Sequence, residues 1–101
     1  MNNPGMMKQL LQMQKQLKQT QKELEKEIVI GRDKDGLVEI MLTGTQQYHG
    51  VKVDKNMLQN VSAIELEKSI GAAVKDALSK TKKLMADKLG PLGGGMPGLK
   101  P

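Results

Sequence analysis

EIVIGRDKDGLVEIMLTG, residues 27–44, holds two strands and the turn that joins them. Ile28, Val29 and Ile30 are β-branched, which favours extended chain over helix. The run from Gly31 to Gly36 is turn chemistry, closed by Asp35 and Gly36, a pair suited to a tight hairpin. Strands are therefore expected over about 28–31 and 37–43. Gly44 to Gln47 turns the chain again, and a third strand is expected over 48–53, with Val51 and Val53 on one face. The order is a three-stranded antiparallel meander.

The second strand carries apolar side chains on both faces. Val38, Ile40 and Leu42 alternate on one side, Leu37 and Met41 on the other. An antiparallel strand with one wet face normally alternates apolar and polar. Both faces therefore call for a cover. The chain's own helices supply one, and a second copy of the sheet is the economical candidate for the other. Leu37, Val38, Ile40, Met41 and Leu42 are the candidate interface residues between copies.

Outward from this centre the period changes. On the N-terminal side, Met6, Leu10, Met13, Leu17, Thr20 and Leu24 recur at alternating spacings of four and three, a heptad seam. Gln and Lys, both good helix formers, fill the remaining positions. The pattern predicts a helix over 6–27, about 33 Å long at 1.5 Å per residue. So narrow a stripe suits a two-helix contact. On the C-terminal side, Ser62 and Glu65 stand as the N-cap and N3 of a capping box. They open a second helix over 63–89, with Leu66, Ile70, Ala73, Ala77 and Leu84 on its apolar face. Gly90 and Pro91 end it as a C′ glycine followed by proline. Residues 1–89 form one domain, and the Gly/Pro-rich stretch 90–101 is expected to be a flexible tail.

Composition narrows the function classes. The chain has 101 residues, no Cys, no Trp, no Phe, one Tyr and one His. Disulfides, a thiolate nucleophile and Cys-ligated metals are excluded. One His cannot form a two-His metal centre within a chain. No nucleophile–base pair stands out, so composition points away from an enzyme and from a cofactor or small-molecule substrate. Asp33 to Gly36 has the opening of a calcium loop without its full ligand spacing or distal Glu, and reads as a hairpin turn. Gly93 to Gly95 lack the Lys-Ser/Thr of a phosphate loop. No stretch of about 18 apolar residues is present to span a membrane. Met1 to Gly5 run into a Gln/Lys-rich segment rather than the apolar core of a signal peptide. The expectation is a cytoplasmic protein. A chain of this size buries only ~60–65% of its unfolded surface, so oligomerisation is expected.

Charge is the positive signal. Lys and Arg number 16 against 11 acidic residues, a net charge of +5. On a helical wheel Lys8, Lys15, Lys18, Lys22 and Lys26 fall within about 80° of arc, opposite the heptad seam. No acidic residue precedes Glu23. In the second helix Lys68, Lys75 and Lys82 recur every seven residues and are joined by Lys83, with Glu65, Asp76 and Asp87 diluting the face. Lysines near phosphates release condensed counterions and give salt-sensitive, sequence-independent affinity. Fifteen of the cations are Lys and only one is Arg, the leading reader of guanine edges, which favours backbone contact over base readout. Without aromatic stacking platforms, duplex DNA is a better candidate than single strands or RNA.

The layout resembles the YbaB/EbfC family of bacterial nucleoid-associated proteins. The resemblance rests on the Met/Gln/Lys helix from Met6 to Lys15 and on the strand from Gly36 to Gly44. It rests also on Val51 to Asp54 followed by Met57 and Leu58, on the Ala-rich stretch Ala72 to Ala77, and on the Gly/Pro/Met tail. It implies an α+β protomer of order α-β-β-β-α, a tweezer-like homodimer with sheets meeting at the centre, DNA binding, and a place in the cytoplasm on the nucleoid. It implies effects on nucleoid organisation and gene expression. A reading of a different class is a prefoldin-like coiled-coil chaperone or interaction scaffold, using Met6, Met7, Met13, Met85 and Met96 as adaptable apolar surface.

Overall fold

The computed structural model describes residues 4–90. Helix α1 runs Pro4–Lys26, strands β1, β2 and β3 run Ile28–Arg32, Val38–Thr43 and Tyr48–Val53, a short helix α2 runs Lys55–Leu58, and α3 runs Ala63–Leu89. The strands form one antiparallel sheet in the order β1-β2-β3. The architecture is α+β, two long helices around a meander.

Asp33 organises the first turn. Its backbone N–H donates to the carbonyl of Val38 at 3.3 Å, and its Oδ1 accepts the Val38 N–H at 2.9 Å. Gly36, at φ 78°, takes the left-handed conformation that a side chain would resist. Because the turn reaches to Leu37, β2 begins at Val38, and Leu37 lies in the turn with its side chain buried. Leu37 remains useful to the sheet, since its carbonyl accepts the Asp54 N–H at 2.9 Å.

Val38, Ile40 and Leu42 point toward α3 and form the core with Leu37, Ala73 and Ala77. The small alanines let α3 lie close on the sheet. Gly31 completes this contact: a Cβ there would overlap the Ala77 amide nitrogen and the Ala73 carbonyl. The buried stripe of α3 is Ala73, Ala77 and Thr81. Ile70, placed on the apolar face by the sequence pattern, is exposed, because α3 crosses β1 and β2 and leaves β3 uncovered.

Both ends of α3 refine the sequence reading. Ser62 Oγ accepts the Glu65 N–H at 3.1 Å, while the Glu65 carboxylate accepts from the Ser62 hydroxyl at 3.3 Å. At the other end Gly90 stays right-handed, at φ −52° and ψ −48°, and so is not a left-handed cap. The tail expected over 90–101 lies outside the described residues beyond Gly90. Between β3 and α3 the sequence reading has a plain connection. The structure has α2 there, because Asp54 Oδ1 accepts the N–H groups of Asn56 and Met57 and nucleates a turn.

Helix α1 is joined to this body only by its last turns. Leu24, 2% exposed, is its one buried residue among those described. The Gly44 N–H donates to the carbonyls of Leu24 and Glu27. The rest of α1 projects, and the molecule measures 69 × 25 × 14 Å.

Candidate nucleic-acid interface

A helix with one apolar stripe and one cationic stripe presents both at once when nothing packs on it. That is the state of α1. Met6, Leu10, Met13 and Leu17 are all exposed, Met6 by 63%. Opposite them Lys8, Lys15, Lys18, Lys22 and Lys26 are also exposed. At 1.5 Å per residue the lysine stripe extends about 27 Å along the helix. Glu23 and Glu25 stand only at its C-terminal end, so the first four turns carry no anion.

Helix α3 displays its lysines differently. Lys68, Lys75 and Lys82 lie on the side away from the buried stripe and are exposed. Lys83 is also exposed, but it lines a groove of about 460 Å³ beside β1 together with Lys80 and Asp87. The nine candidate lysines therefore do not form one cluster; they occupy the α1 stripe, the outer face of α3 and the β1 side of α3.

Ion pairs separate these lysines from their neighbours. Among the described residues none of the nine is within a salt bridge. Lys80 pairs with Asp76 at 3.0 Å and Lys88 with Glu27 at 3.5 Å. Arg32 is held by Glu39 at 2.6 Å, both on the sheet face away from α3. The cation best built to read bases is thus committed within the chain, and the uncommitted cations are lysines.

Asp76 has a second task. Its Oδ2 accepts the backbone N–H of Arg32 at 2.9 Å, and Lys80 donates to the carbonyl of Ile30 at 2.8 Å. The Arg32 amide, then Lys80, hold the Asp76 carboxyl below its ordinary value. These contacts occupy outward-facing groups of β1, an edge strand that would otherwise invite pairing.

The residues taken from sequence as an interface between copies fall in two places. Leu37, Val38, Ile40 and Leu42 are buried against the chain's own α3. Met41 lies on the opposite face, half-buried, near half-buried Ile30 and exposed Ile28. Sequence reasoning passed over two other lysines, Lys34 and Lys52, which are exposed in the sheet region. Lys34 stands alone in the first turn and Lys52 alone on β3, so no periodic pattern singled them out.

The YbaB/EbfC DNA-binding family model matches residues 1–96. This chain belongs to the YbaB/EbfC DNA-binding family. A nucleoid-associated protein of Dictyoglomus turgidum is 37% identical over 98 residues, covering 96% of this chain and 94% of the relative. One from Rhodococcus opacus is 36% identical over 99 residues, covering 93% and 88%. One from Rhodopseudomonas palustris is 37% identical over 97 residues, covering 96% and 91%. The fold is shared with the crystal structure of the uncharacterized protein HP0035 from Helicobacter pylori. That chain is 15% identical with a TM-score of 0.77, over 93% of this chain and 99% of the other. The family is a DNA-binding one. Among the described residues no helix is long and apolar enough to cross a membrane.

Proposed function

We propose that this chain is a nucleoid-associated protein that binds duplex DNA as a homodimer, through lysine–phosphate contacts, in the bacterial cytoplasm. The observation that carries the reading is the α1 stripe, five exposed lysines without an ion-pair partner among the described residues, on a helix that projects from the body. Each lysine near the duplex displaces condensed cations, so affinity comes from counterion release and not from base recognition. Lys68, Lys75 and Lys82 add a second cationic face, and Lys83 a flanking charge. By occupying and gathering DNA, such a protein affects nucleoid organisation and, through it, gene expression. The names of the relatives from Dictyoglomus, Rhodococcus and Rhodopseudomonas support the nucleoid role.

Homodimerisation is supported by apolar surface that the single chain leaves open. The seam of Met6, Leu10, Met13 and Leu17 has no cover within the described residues. Exposed apolar stripes of this size commonly mark an interaction surface. Doubling the chain also doubles the lysine faces and steepens the dependence on salt.

The test is fluorescence anisotropy with two unrelated duplexes at several salt concentrations. The reading expects similar affinities for both, falling steeply as salt rises. Undetectable binding at low salt, with the protein folded, overturns it. The charge reversals Lys15→Glu and Lys22→Glu together probe the stripe, and unchanged affinity removes α1 from the contact surface.

A further inference from the structure

We propose that Gly71 is the point of closest approach of the duplex to α3, where one phosphodiester backbone lies against bare helix between Lys68 and Lys75. This rests on the DNA reading above and gives Gly71 a positioning role in it.

Other glycines of the body have a reason within the chain. Gly31 and Gly44 stand against backbone that admits no side chain, and Gly36 is left-handed. Gly71 has neither reason. It lies inside α3, about two turns from the N-terminus. It is exposed, and a Cβ there would meet nothing within 4 Å. Glycine is the poorest helix former after proline, so alanine would add stability at this position without a clash. A glycine that the chain itself does not need leaves room for the close approach of another molecule.

The neighbours of Gly71 select that molecule. Residues three and four apart adjoin on a helix surface, so Gly71 and Ala72 both lie between Lys68 and Lys75. The two lysines are exposed and take part in no ion pair among the described residues. They stand about 10.5 Å apart along the axis. Between them the surface falls to backbone at Gly71 and a single methyl at Ala72. Lys82 continues the row, and the three lysines fall within about 40° of arc. An apolar helix seated in this notch would take two ammonium groups out of water without a counter-charge, whereas a phosphate supplies one. Glu67, one turn before Gly71, lies on the flank away from the lysines and limits the contact to their side.

The other seven-residue lysine intervals are filled. Leu78 and Ser79 lie between Lys75 and Lys82, Lys18 and Gln19 between Lys15 and Lys22, and Leu11 and Gln12 between Lys8 and Lys15. Each holds at least one long side chain that keeps a ligand off the helix backbone. The notch at Gly71 does not.

The experiment sets stability against affinity. Gly71→Ala and Gly71→Gln both favour helix and meet open space, so both should raise the midpoint of thermal unfolding. Duplex affinity, measured by anisotropy across a salt series, should fall instead, less for alanine than for glutamine. Gly71→Gln should lower the slope of log affinity against log salt by up to about 2 for each bound chain, the share of Lys68 and Lys75 at close to 0.9 each. With Lys68→Gln and Lys75→Gln already in place, Gly71→Gln should cost no further affinity, whereas independent effects would add. If the Gly71 variants are more stable and bind as the parent does, while the lysine pair variant loses slope, the close approach is overturned and the DNA reading stands. If the folded parent binds no duplex at low salt, both are overturned. If Gly71→Gln changes the sedimentation of the protein without DNA, the notch seats another chain and the proposal is overturned. Should the glutamine variant not fold, Gly71→Ala decides by the same opposition of stability and affinity.

Discussion

The Gly44 amide donates to the Leu24 carbonyl at 2.8 Å, sharing its proton with Glu27 at 2.9 Å. Two residues far apart in sequence thus set where α1 leaves the body. The contact admits no side chain, since a Cβ at Gly44 would stand 2.6 Å from the Leu24 carbonyl oxygen. Gly44→Ala is expected to cost about 1–3 kcal/mol, the range for overpacking. Thermal unfolding should shift down by several degrees, and proteolysis between α1 and β1 should quicken.

Gly31→Ala should cost more, near or above the top of that range, about 3 kcal/mol. The added methyl would stand 2.2, 2.3 and 2.6 Å from three backbone atoms of Ala77 and Ala73, whereas at Gly44 only the Leu24 carbonyl oxygen comes within 3.0 Å. Urea titration of the two glycine variants side by side checks the order.

The lysine stripe predicts a salt dependence. Neutralising Lys15 and Lys22 by Lys→Gln should lower the slope of log affinity against log salt by about 2 for each bound chain, since each phosphate no longer neutralised removes close to 0.9. The weakening should be the same for unrelated duplexes. An unchanged slope places the DNA-binding surface elsewhere. Lys80→Gln is a poor control, since it also frees the β1 edge; Lys34→Gln leaves every described ion pair intact.

Asp33 predicts an acid transition. Burial opposes its charge, but the Val38 N–H and the Ser69 side chain, joined by local amides, outweigh burial and hold the carboxyl below its ordinary value of 3.8. A depressed folded pKa stabilises the protein above the unfolded value. That contribution shrinks as pH falls from about 4 and is gone below the folded pKa. Asp33→Asn should be less stable at neutral pH by about 1–2 kcal/mol, the difference between charge-assisted and neutral hydrogen bonds. The gap between the two proteins should close on acidification, as followed by urea titration at stepped pH.

Much of this was legible in the residues. β-branched runs separated by Asp35 and Gly36 announce strands and a turn, because those signals act between near neighbours. The heptad seam and the lysine stripe of α1 are equally local, since a helix places residues by its own period. What escaped were contacts between distant segments. Nothing in the pattern of β2 tells that Leu37 belongs to the turn or that α3 alone covers Val38, Ile40 and Leu42. The exposure of Ile70 and the open edge at β3 follow from where α3 crosses the sheet. That crossing is set by Gly31 meeting Ala73 and Ala77, a fit of small residues separated by more than forty positions.

By itself, then, the sequence determined element order, turn positions, the face on which each lysine stands and the kinship with a DNA-binding family, all consequences of backbone period and local preference. Tertiary structure decided which apolar residues are consumed within the chain and which remain for a partner. It also decided which cations are tied up by Asp76, Glu27 and Glu39 and which of the described ones are left out of ion pairs. Burial and ion pairing depend on distances across the fold, and those exist only once the helix has settled on the sheet.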